Sequence, residues 1–363
     1  MSFVLRGIGT AVPQHAIEQR EAAELVAPLC CQTAEQERQL VALYRRSGVR
    51  TRRSVLLDAS TNSHPARQSF YRAPDEGTCG PTTAERMARY ESDAGPLALE
   101  ASRAALHDAD FSSGSITHLV TVSCSGFVSP GIDLALIREL GLRPDVARTH
   151  IGFMGCHGAL NALRVSQAFA EADPRARVLV CAVELCSLHQ QYGWRPDQIV
   201  ANALFADGVA AVVGTQGEPG DGAAWRVAAT GSTVIPDSEY LMGWRIRDHG
   251  FEMTLSPRVP ELIHQHLRPW LQGWLAVHAL TIADIGSWAV HPGGPRILQA
   301  CAEAAGFERS QLRDSQEILA EYGNMSSPTV LFILDRLRAR HAPRPCVLLA
   351  FGPGVAVEAA LVC

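Results

Sequence analysis

An internal repeat constrains the fold of this chain more than any other feature of its sequence. Two apolar strands and one helix start recur in the second half at a constant offset of 168 residues, from 156 to 324 and from 177 to 345. Short, β-branched apolar runs of this kind are typical of buried parallel strands in α/β proteins. We therefore predict two α/β halves, residues 1–220 and residues 221–363, that pack around a pseudo-twofold axis. The repeated segments are 118–122 with 286–290, 177–182 with 345–350, and the helix starts at Cys156 and Asn324.

The composition is that of a well-buried globular protein. Hydrophobic residues make up 47% of the 363 residues and charged residues 19%, which excludes a disordered or fibrous chain. The net charge of -5 gives no general attraction to nucleic acid or to an anionic membrane. No apolar run approaches the roughly 20 residues of a membrane span, and Met1–Pro13 lacks the apolar core of a signal peptide. The ten cysteines lack paired CxxC spacing, which predicts reduced thiols, no metal site and a cytoplasmic location.

Cys156 is the candidate nucleophile. It lies in a Gly-Cys-His-Gly turn that leads into an apolar, helix-forming segment at 159–172. Free backbone N–H groups and the helix dipole at such a position favour an anion and lower the pKa of a thiol. The two flanking glycines allow a backbone or a ligand to approach closely. A buried structural cysteine explains the same turn equally well.

The repeat brings two further polar side chains toward Cys156. If the halves are related by a pseudo-twofold axis, Cys156 and Asn324 occupy equivalent helix N-termini that face one pocket. His291 follows the strand at 286–290 in a turn rich in Gly and Pro, and it points to the same pocket. Taken singly, His291 suits a structural role and Asn324 suits a helix N-cap.

Together, Cys156, His291 and Asn324 suit one chemistry. The thiolate accepts an acyl group from a thioester, and the N–H groups of His and Asn form an oxyanion hole for the oxygen that becomes negative next. That reaction is a decarboxylative Claisen condensation.

Four short motifs stand at and around these residues. They are Gly155-Cys156, His291-Pro292-Gly293-Gly294-Pro295, Gly323-Asn324-Met325-Ser326-Ser327 and Ala350-Phe351-Gly352-Pro353-Gly354. The set resembles that of the chalcone synthase-like type III polyketide synthases, a family of the thiolase superfamily, and the resemblance covers essentially the whole chain. The residues around His291 and Asn324 separate the chain from the ketoacyl synthase III branch, which shares the triad. The turn at Cys156 and the segment Pro81–Met87 are more similar to bacterial members than to plant members.

The resemblance implies an α/β fold of the thiolase type, with five layers (αβαβα) built from two duplicated halves, and a homodimer. It implies that a starter acyl-CoA loads Cys156 and that malonyl-CoA is decarboxylated with help from His291 and Asn324. The extended chain then cyclises. The substrates would be free acyl-CoA and malonyl-CoA, with no separate cofactor.

The resemblance also assigns residues that shape the substrate cavity. Phe205 matches a gatekeeper phenylalanine, and Met253 stands where plant members have a second one. A flexible Met is compatible with a long or bulky starter, although ordinary core packing would explain both residues without the resemblance. His189 either narrows the cavity or is a core histidine with satisfied hydrogen bonds. The other expected cavity residues are Cys124, Ser326, Gly352, Pro353 and Gly354.

A basic run near residue 50 contains the expected CoA-binding residues. Arg46 aligns with a lysine that binds CoA in the family, and Arg45 is assigned by its charge alone. A solvated surface face is the alternative interpretation of this run.

Three functional hypotheses follow. The first is a type III polyketide synthase that makes an alkylpyrone or alkylresorcinol from a fatty acyl-CoA, with a tetrahydroxynaphthalene-type product from malonyl-CoA alone as the rival. The second is a carrier-protein-dependent, ketoacyl synthase III-like enzyme that uses malonyl-ACP and not malonyl-CoA. The third is a cysteine hydrolase or a non-catalytic scaffold, and the intact Cys, His and Asn argue against the scaffold.

Overall fold

The computed structural model describes residues 2–61, 64–74, 79–217 and 224–363. The predicted boundary between the halves, at residues 220 and 221, lies outside these described residues. The α-helices are α1 (Gln19–Cys30), α2 (Ala34–Arg46), α3 (Thr83–Asp108), α4 (Ile132–Leu140), α5 (Gly158–Ala172), α6 (Pro196–Leu204), α7 (Val259–Val277), α8 (Pro295–Ala305), α9 (Arg313–Tyr322) and α10 (Thr329–Ala339). The strands are β1 (Phe3–Ala11), β2 (Ala16–Glu18), β3 (Thr51–Arg53), β4 (Ala59–Thr61), β5 (His64–Arg67), β6 (His118–Ser123), β7 (Ala147–Gly152), β8 (Arg177–Leu185), β9 (Asp207–Gln216), β10 (Arg226–Val234), β11 (Met242–Arg247), β12 (Gly250–Leu255), β13 (Ser287–Val290), β14 (Cys346–Gly352) and β15 (Ala356–Val362).

One nine-stranded sheet runs through the molecule in the order β13-β14-β15-β10-β1-β9-β8-β6-β7. The strand order of the second half repeats that of the first, outward from the centre of the sheet. In that order, the strands of the first half are β1, β9, β8 and β6, and those of the second are β10, β15, β14 and β13. In both halves the outer pair is parallel, β6 with β8 and β13 with β14, and the next pair inward is antiparallel. The halves meet where β1 pairs with β10. The repeat in the sequence is therefore also a repeat in strand order.

The molecule has five layers of helices and sheet, and neighbouring side chains along each strand face different layers. In β8, Val180 packs in the core around α5 and α10, whereas its neighbour Leu179 packs in the core around α3. In β14, Leu348 faces the same central helices, whereas Leu349 faces α7 and α8. The order is thus helix, sheet, helix, sheet, helix, and the predicted α/β class is confirmed.

The two central helices are apolar on more than one face because sheet lies on both sides of them. The first turns of α5 bury Ala159, Leu160 and Leu163, and α10 buries every residue from Thr329 to Leu334. The segments that precede these two helices carry Cys156 and Asn324, so the central layer positions both. No helix in the described ranges is long and apolar enough to cross a membrane.

Candidate active site

The three residues expected to act in catalysis are brought together from distant parts of the chain. Cys156 lies on a single helical turn, Gly155–His157, directly before α5. His291 follows β13, and Asn324 follows α9. All three side chains line one chamber, which we call the inner chamber. Its other lining residues are Ala201, Leu204, Phe205, Met242, Met253, Leu255, Gly293, Ile297 and Phe351.

Cys156 is a neutral thiol in this chamber. The residue as a whole has intermediate exposure, but desolvation of its sulfur by the surrounding protein raises the pKa of the thiol to about 12. Hydrogen bonds from Ser326 and Asn324 lower this pKa, but by less than burial raises it. The expected lowering of this pKa is therefore wrong for the free protein, because desolvation outweighs the position before a helix.

His291 is neutral as well. It is 1% exposed, and burial lowers the pKa of its imidazole to about 3, with a smaller contribution from the charge of His157. Within the described part of the chain, neither ring nitrogen of His291 has a hydrogen-bond partner. A buried imidazole with both nitrogens unpartnered can accept one proton and donate another to a substrate that enters the chamber.

Asn324 is fixed with its amide N–H group directed toward the Cys156 thiol. Its backbone pairs with the end of α6, where Asn324 N donates to Leu204 O at 2.8 Å and Ala206 N donates to Asn324 O at 2.9 Å. Its side-chain Oδ1 accepts from Ser326 N at 2.8 Å, so the amide nitrogen is the end left for the chamber. The N-cap of α10 is Pro328, hence the alternative role of Asn324 as that cap is wrong.

The Gly352–Pro353 segment packs against the turn that carries Cys156. Gly155 has a φ of +74°, and a Cβ there would lie 2.3 Å from Pro353 Cδ. A Cβ at Gly352 would lie 2.3 Å from His157 Cδ2. These contacts require glycine at both positions and keep the thiol turn in one place. Gly354, also expected at the cavity, instead accepts a hydrogen bond from Ser238 Oγ at 2.9 Å through its carbonyl.

A second, narrow chamber also contacts Cys156, and we call it the side chamber. Phe205, Met242 and Met253 line both chambers together with Cys156. The two residues expected to act as gates therefore lie at the junction. The side chamber also contains the expected Cys124, Ser326, Gly352 and Pro353, and in addition Ser125, Gly155, Glu184, Cys186 and Trp244.

Glu184 is a buried acid at the side chamber that sequence reasoning missed. Its carboxylate accepts from Ser125 Oγ at 2.7 Å, Ser327 Oγ at 2.7 Å and Cys124 N at 3.0 Å. Burial nevertheless raises the pKa of Glu184 to about 7. A lone Glu near the end of the apolar strand β8 was the available signal, since an acid in a buried strand needs such partners.

His189 is a core histidine with satisfied hydrogen bonds, the second of its two expected roles. Its Nε2 donates to Ser125 O at 2.7 Å, and its Nδ1 accepts from Phe251 N at 2.9 Å. The ring stacks on Phe251 with centroids 4.1 Å apart, and burial lowers its pKa to about 3. It does not line either chamber beside Cys156, but it supports Trp244, whose ring lies edge-on to it at 5.4 Å.

Trp244 was not predicted from the sequence. Its Nε1 donates to Cys124 O at 2.7 Å, which fixes the indole between the side chamber and a separate apolar cleft. Nothing in its local sequence marks it, because β11 is too short and too exposed to give a burial pattern.

The apolar cleft runs from Trp244 toward α1. It meets the chambers at Phe205, Met253 and Trp244, which it shares with the side chamber. Its apolar lining residues are Ile17, Ala22, Leu25, Val26, Leu29, Leu56 and Leu57, and Arg52, Tyr71, His189 and Asn202 are among its polar ones.

A wide open cleft leads from the surface to the inner chamber, and we call it the mouth. It encloses about 1950 Å³ including the solvent at its opening, and it shares Leu204, Leu255, Gly293 and Ile297 with the inner chamber. Arg46 lines the mouth, as expected for a CoA-binding residue, whereas Arg45 is exposed and not part of the lining. Arg296, which the sequence analysis did not consider, also lines it.

Comparisons with known proteins define the class to which this fold and site belong. Residues 2–217 match the family described as chalcone and stilbene synthases, N-terminal domain, and residues 226–363 match the C-terminal domain of the same family. The chain belongs to the chalcone and stilbene synthase family.

Particular relatives agree with this assignment. The chain is 32% identical to an alpha-pyrone synthesis polyketide synthase-like protein of Mycobacterium tuberculosis, over 99% of this chain and 90% of that protein. It is 36% identical to the 1,3,6,8-tetrahydroxynaphthalene synthase of Streptomyces peucetius subsp. caesius, over 97% and 90%. A crystal structure of PKS-I from the brown alga Ectocarpus siliculosus superposes with a TM-score of 0.92 at 29% identity, over 99% of this chain and 98% of that one.

The predicted resemblance is thus confirmed, together with the thiolase-like fold. The chain is a type III polyketide synthase, an acyl-transferring condensing enzyme. The comparisons favour neither the ketoacyl synthase III-like alternative nor the hydrolase or scaffold.

Proposed function

We propose that this enzyme transfers a fatty acyl starter from CoA to Cys156, extends it with malonyl-CoA and releases it as an alkylpyrone or alkylresorcinol. The apolar cleft beside the chambers carries this proposal. It is lined by aliphatic side chains of α1 and of residues 56 and 57. It meets the side chamber at Phe205, Trp244 and Met253. An alkyl chain buries apolar surface there without displacing the polar groups around Cys156.

Starter loading begins from two neutral groups. The proton of the Cys156 thiol passes to His291 as the sulfur attacks the thioester carbonyl, and the oxygen that becomes negative lies among N–H donors. The carbonyl then reforms, and the CoA thiolate departs with the proton from His291. Burial disfavours a resting thiolate–imidazolium pair, so proton transfer is coupled to attack on a bound substrate.

Extension uses the same donors for a different oxygen. Malonyl-CoA loses CO2, and the electron pair of the broken C–C bond becomes an enolate whose oxygen accepts hydrogen bonds from His291 and the Asn324 amide. The enolate carbon attacks the acyl carbonyl on Cys156 and releases the sulfur as thiolate. The reaction as proposed uses CoA thioesters and requires no further cofactor.

A short series of extensions suits the shape of the side chamber. Trp244 occupies its wall beside Cys124 and is fixed there by a hydrogen bond, which leaves little room for a long folded polyketide. This favours a pyrone, which requires few extensions, over a naphthalene built from malonyl units alone. The naphthalene product remains the rival, since one relative is named as such a synthase.

The test of the starter is a ladder of acyl-CoA chain lengths with labelled malonyl-CoA, with products weighed by mass spectrometry. We expect pyrones or resorcinols that retain the alkyl chain. Leu25→Trp, which fills the apolar cleft, should shift the preferred starter to a shorter chain. Ala27→Trp on the same helix lies outside the cleft lining and is the matched control. A sole product from malonyl-CoA, unchanged by either variant, would contradict the fatty starter.

We further propose that the enzyme is a homodimer of the reducing cytoplasm. β7 is an edge of the large sheet, with one row of backbone groups available for pairing. Phe127, Leu134 and Met154, from three segments of the first half, are 41%, 41% and 38% exposed. A second copy of the chain would cover these apolar side chains. All ten cysteines are free thiols, which supports the reducing compartment.

A further inference from the structure

Three segments from distant parts of the chain meet beside Phe205. They are the end of α6, the residue Asn324 after α9, and the short strand β3. Phe205 and Asn324 form a bridge between the first two segments, in which Asn324 N donates to Leu204 O and Ala206 N donates to Asn324 O. The gate residue and the proposed enolate donor therefore belong to one hydrogen-bonded unit with two arms, α6 and α9.

The strand β3 is joined to the α9 arm of this unit. Arg50 N, directly before the strand, donates to Ala320 O at 2.8 Å. Thr51 Oγ1 donates to Glu321 O at 2.8 Å. Both acceptors belong to the last turn of α9, shortly before Asn324, so the place where this arm ends depends on β3.

The guanidinium of Arg52, the next residue of β3, binds the α6 arm. Its Nη1 donates to Asn202 O at 2.5 Å and to Phe205 O at 3.0 Å, and its Cζ lies 5.5 Å from the centre of the Tyr44 ring. Carbonyls at the C-terminal end of a helix carry partial negative charge. They stabilise the charge of Arg52, which is only 8% exposed.

We propose that Arg52 is a positioning residue that holds Phe205 and Asn324 in the arrangement required for chain extension. One strand binds both arms, so it sets the distance between them. The proposal rests on the proposed function, because it takes Asn324 as a donor to the enolate oxygen. The described lining of the two chambers beside Cys156 includes Phe205 but not Arg52, so Arg52 acts through residues that contact the substrate.

The two stages of the reaction should depend unequally on Arg52. A displacement of about 1 Å in an active site can slow a reaction about 10²-fold, and extension relies on the donor at Asn324. The Cys156 turn is held independently, by its packing against Pro353. Loss of the Arg52 hydrogen bonds should therefore slow extension more than starter loading, whereas a general loss of structure would slow both.

The test variant is Arg52→Met, which removes the donors and keeps a long side chain. Its matched control is Arg86→Met. Arg86 is also buried, and its Nη1 donates to two carbonyls, Leu188 O at 2.7 Å and Gln190 O at 2.9 Å. Its Cζ lies 5.3 Å from the centre of the Tyr71 ring. The two variants therefore lose similar contacts, and Arg52→Met alone loses them at the bridge.

Acylation of Cys156 by an acyl-CoA and CO2 release from carboxyl-labelled malonyl-CoA are measured for both variants. We expect Arg52→Met to release CO2 about 10–100 times more slowly, with acylation within about threefold of the wild type. Arg86→Met should leave the ratio of the two rates unchanged. The same ratio in both variants would overturn the proposal.

Arg52→Lys keeps the test decisive if Arg52→Met does not fold. An ammonium retains the charge and can donate to both carbonyls, but it lacks the reach and the fixed plane of a guanidinium. We expect a smaller loss than in Arg52→Met, again in CO2 release and not in acylation. An equal loss in both rates would show that Arg52 supports the fold only.

Amide hydrogen exchange follows the bridge itself and needs no turnover. The N–H groups of Ala206 and Asn324 both donate within it, so their exchange should accelerate about tenfold in Arg52→Met and not in Arg86→Met. If it accelerates but Asn324→Ala releases CO2 as fast as the wild type, the proposed role of Asn324 fails and the link to Arg52 stands. If polyketides form and neither exchange nor CO2 release responds to Arg52→Met, only the positioning role fails.

Discussion

The two groups that must exchange a proton in this site are both neutral before substrate arrives. Burial raises the pKa of Cys156 to about 12 and lowers that of His291 to about 3. A resting ion pair in this buried chamber would need solvation that the surrounding apolar side chains do not supply. The free protein should therefore protect its thiol from chance electrophiles until a thioester occupies the channel.

The pH dependence of thiol alkylation tests this protonation state. Because the thiolate is the reactive form and the pKa is raised, the thiolate fraction of Cys156 increases with pH throughout the neutral range. We expect its reaction with iodoacetamide to accelerate about tenfold per unit between about pH 6 and 10. Mass spectrometry of the Cys156 peptide measures the rate, with exposed Cys79 as an internal reference. A plateau near neutral pH would show a lowered pKa instead.

Sequence reasoning found Cys156, His291 and Asn324 because each belongs to a local motif. It missed Glu184, Trp244 and Arg296, because each of them joins the site through residues that are distant in the sequence and close only in the folded chain. It also assigned the wrong direction to the pKa of Cys156, since the helix position is visible in the sequence and the desolvation is not.

Among the elements, the contact between the Cys156 turn and the segment after β14 determines where the thiol lies. Gly155 must be glycine for two separate reasons, a positive φ and the closeness of Pro353. Gly141 at the end of α4 has a similar φ of +69°, but no atom of the described residues lies within 4 Å of a Cβ placed there. This pair separates backbone strain from steric overlap.

Gly155→Ala should lower the free energy of unfolding more than Gly141→Ala does. Both variants incur the cost of a positive φ, roughly 1 kcal/mol, and only Gly155→Ala adds overpacking of about 1–3 kcal/mol. Urea unfolding of both variants measures the difference. Starter loading should also slow in Gly155→Ala alone. Equal destabilisation of the two variants would show that Pro353 moves away from the new Cβ at little cost in free energy.

Across the whole molecule, the internal repeat extends further than the sequence indicates. Two strands and one helix start predict it, and in the structure it comprises two matching runs of four strands in one sheet. The strand positions were predictable because a buried parallel strand has a distinctive apolar pattern. Asn324 lies in the turn before α10, and that helix begins at Thr329. Only its alternative role as the N-cap is wrong, because Pro328 caps α10.

The proposed dimer makes a prediction at the same scale. Leu134→Asp places a charge within the apolar surface beside β7, so we expect a dimer to become a monomer with little change in unfolding. Val277→Asp at the end of α7 is the control, since Val277 is 80% exposed on the other half of the chain. Sedimentation analysis distinguishes the two states. A wild type that sediments as a monomer would remove the proposal.

The central claim is that Cys156, His291 and Asn324 act on one substrate in a single chamber. It is tested most directly by measuring, in one incubation, the acyl adduct on Cys156 and the CO2 released from carboxyl-labelled malonyl-CoA. We expect Asn324→Ala to keep the adduct but to release CO2 about 10²–10³ times more slowly, and Cys156→Ala to form no adduct. Wild-type CO2 release by Asn324→Ala, or an adduct on another residue, would contradict the account.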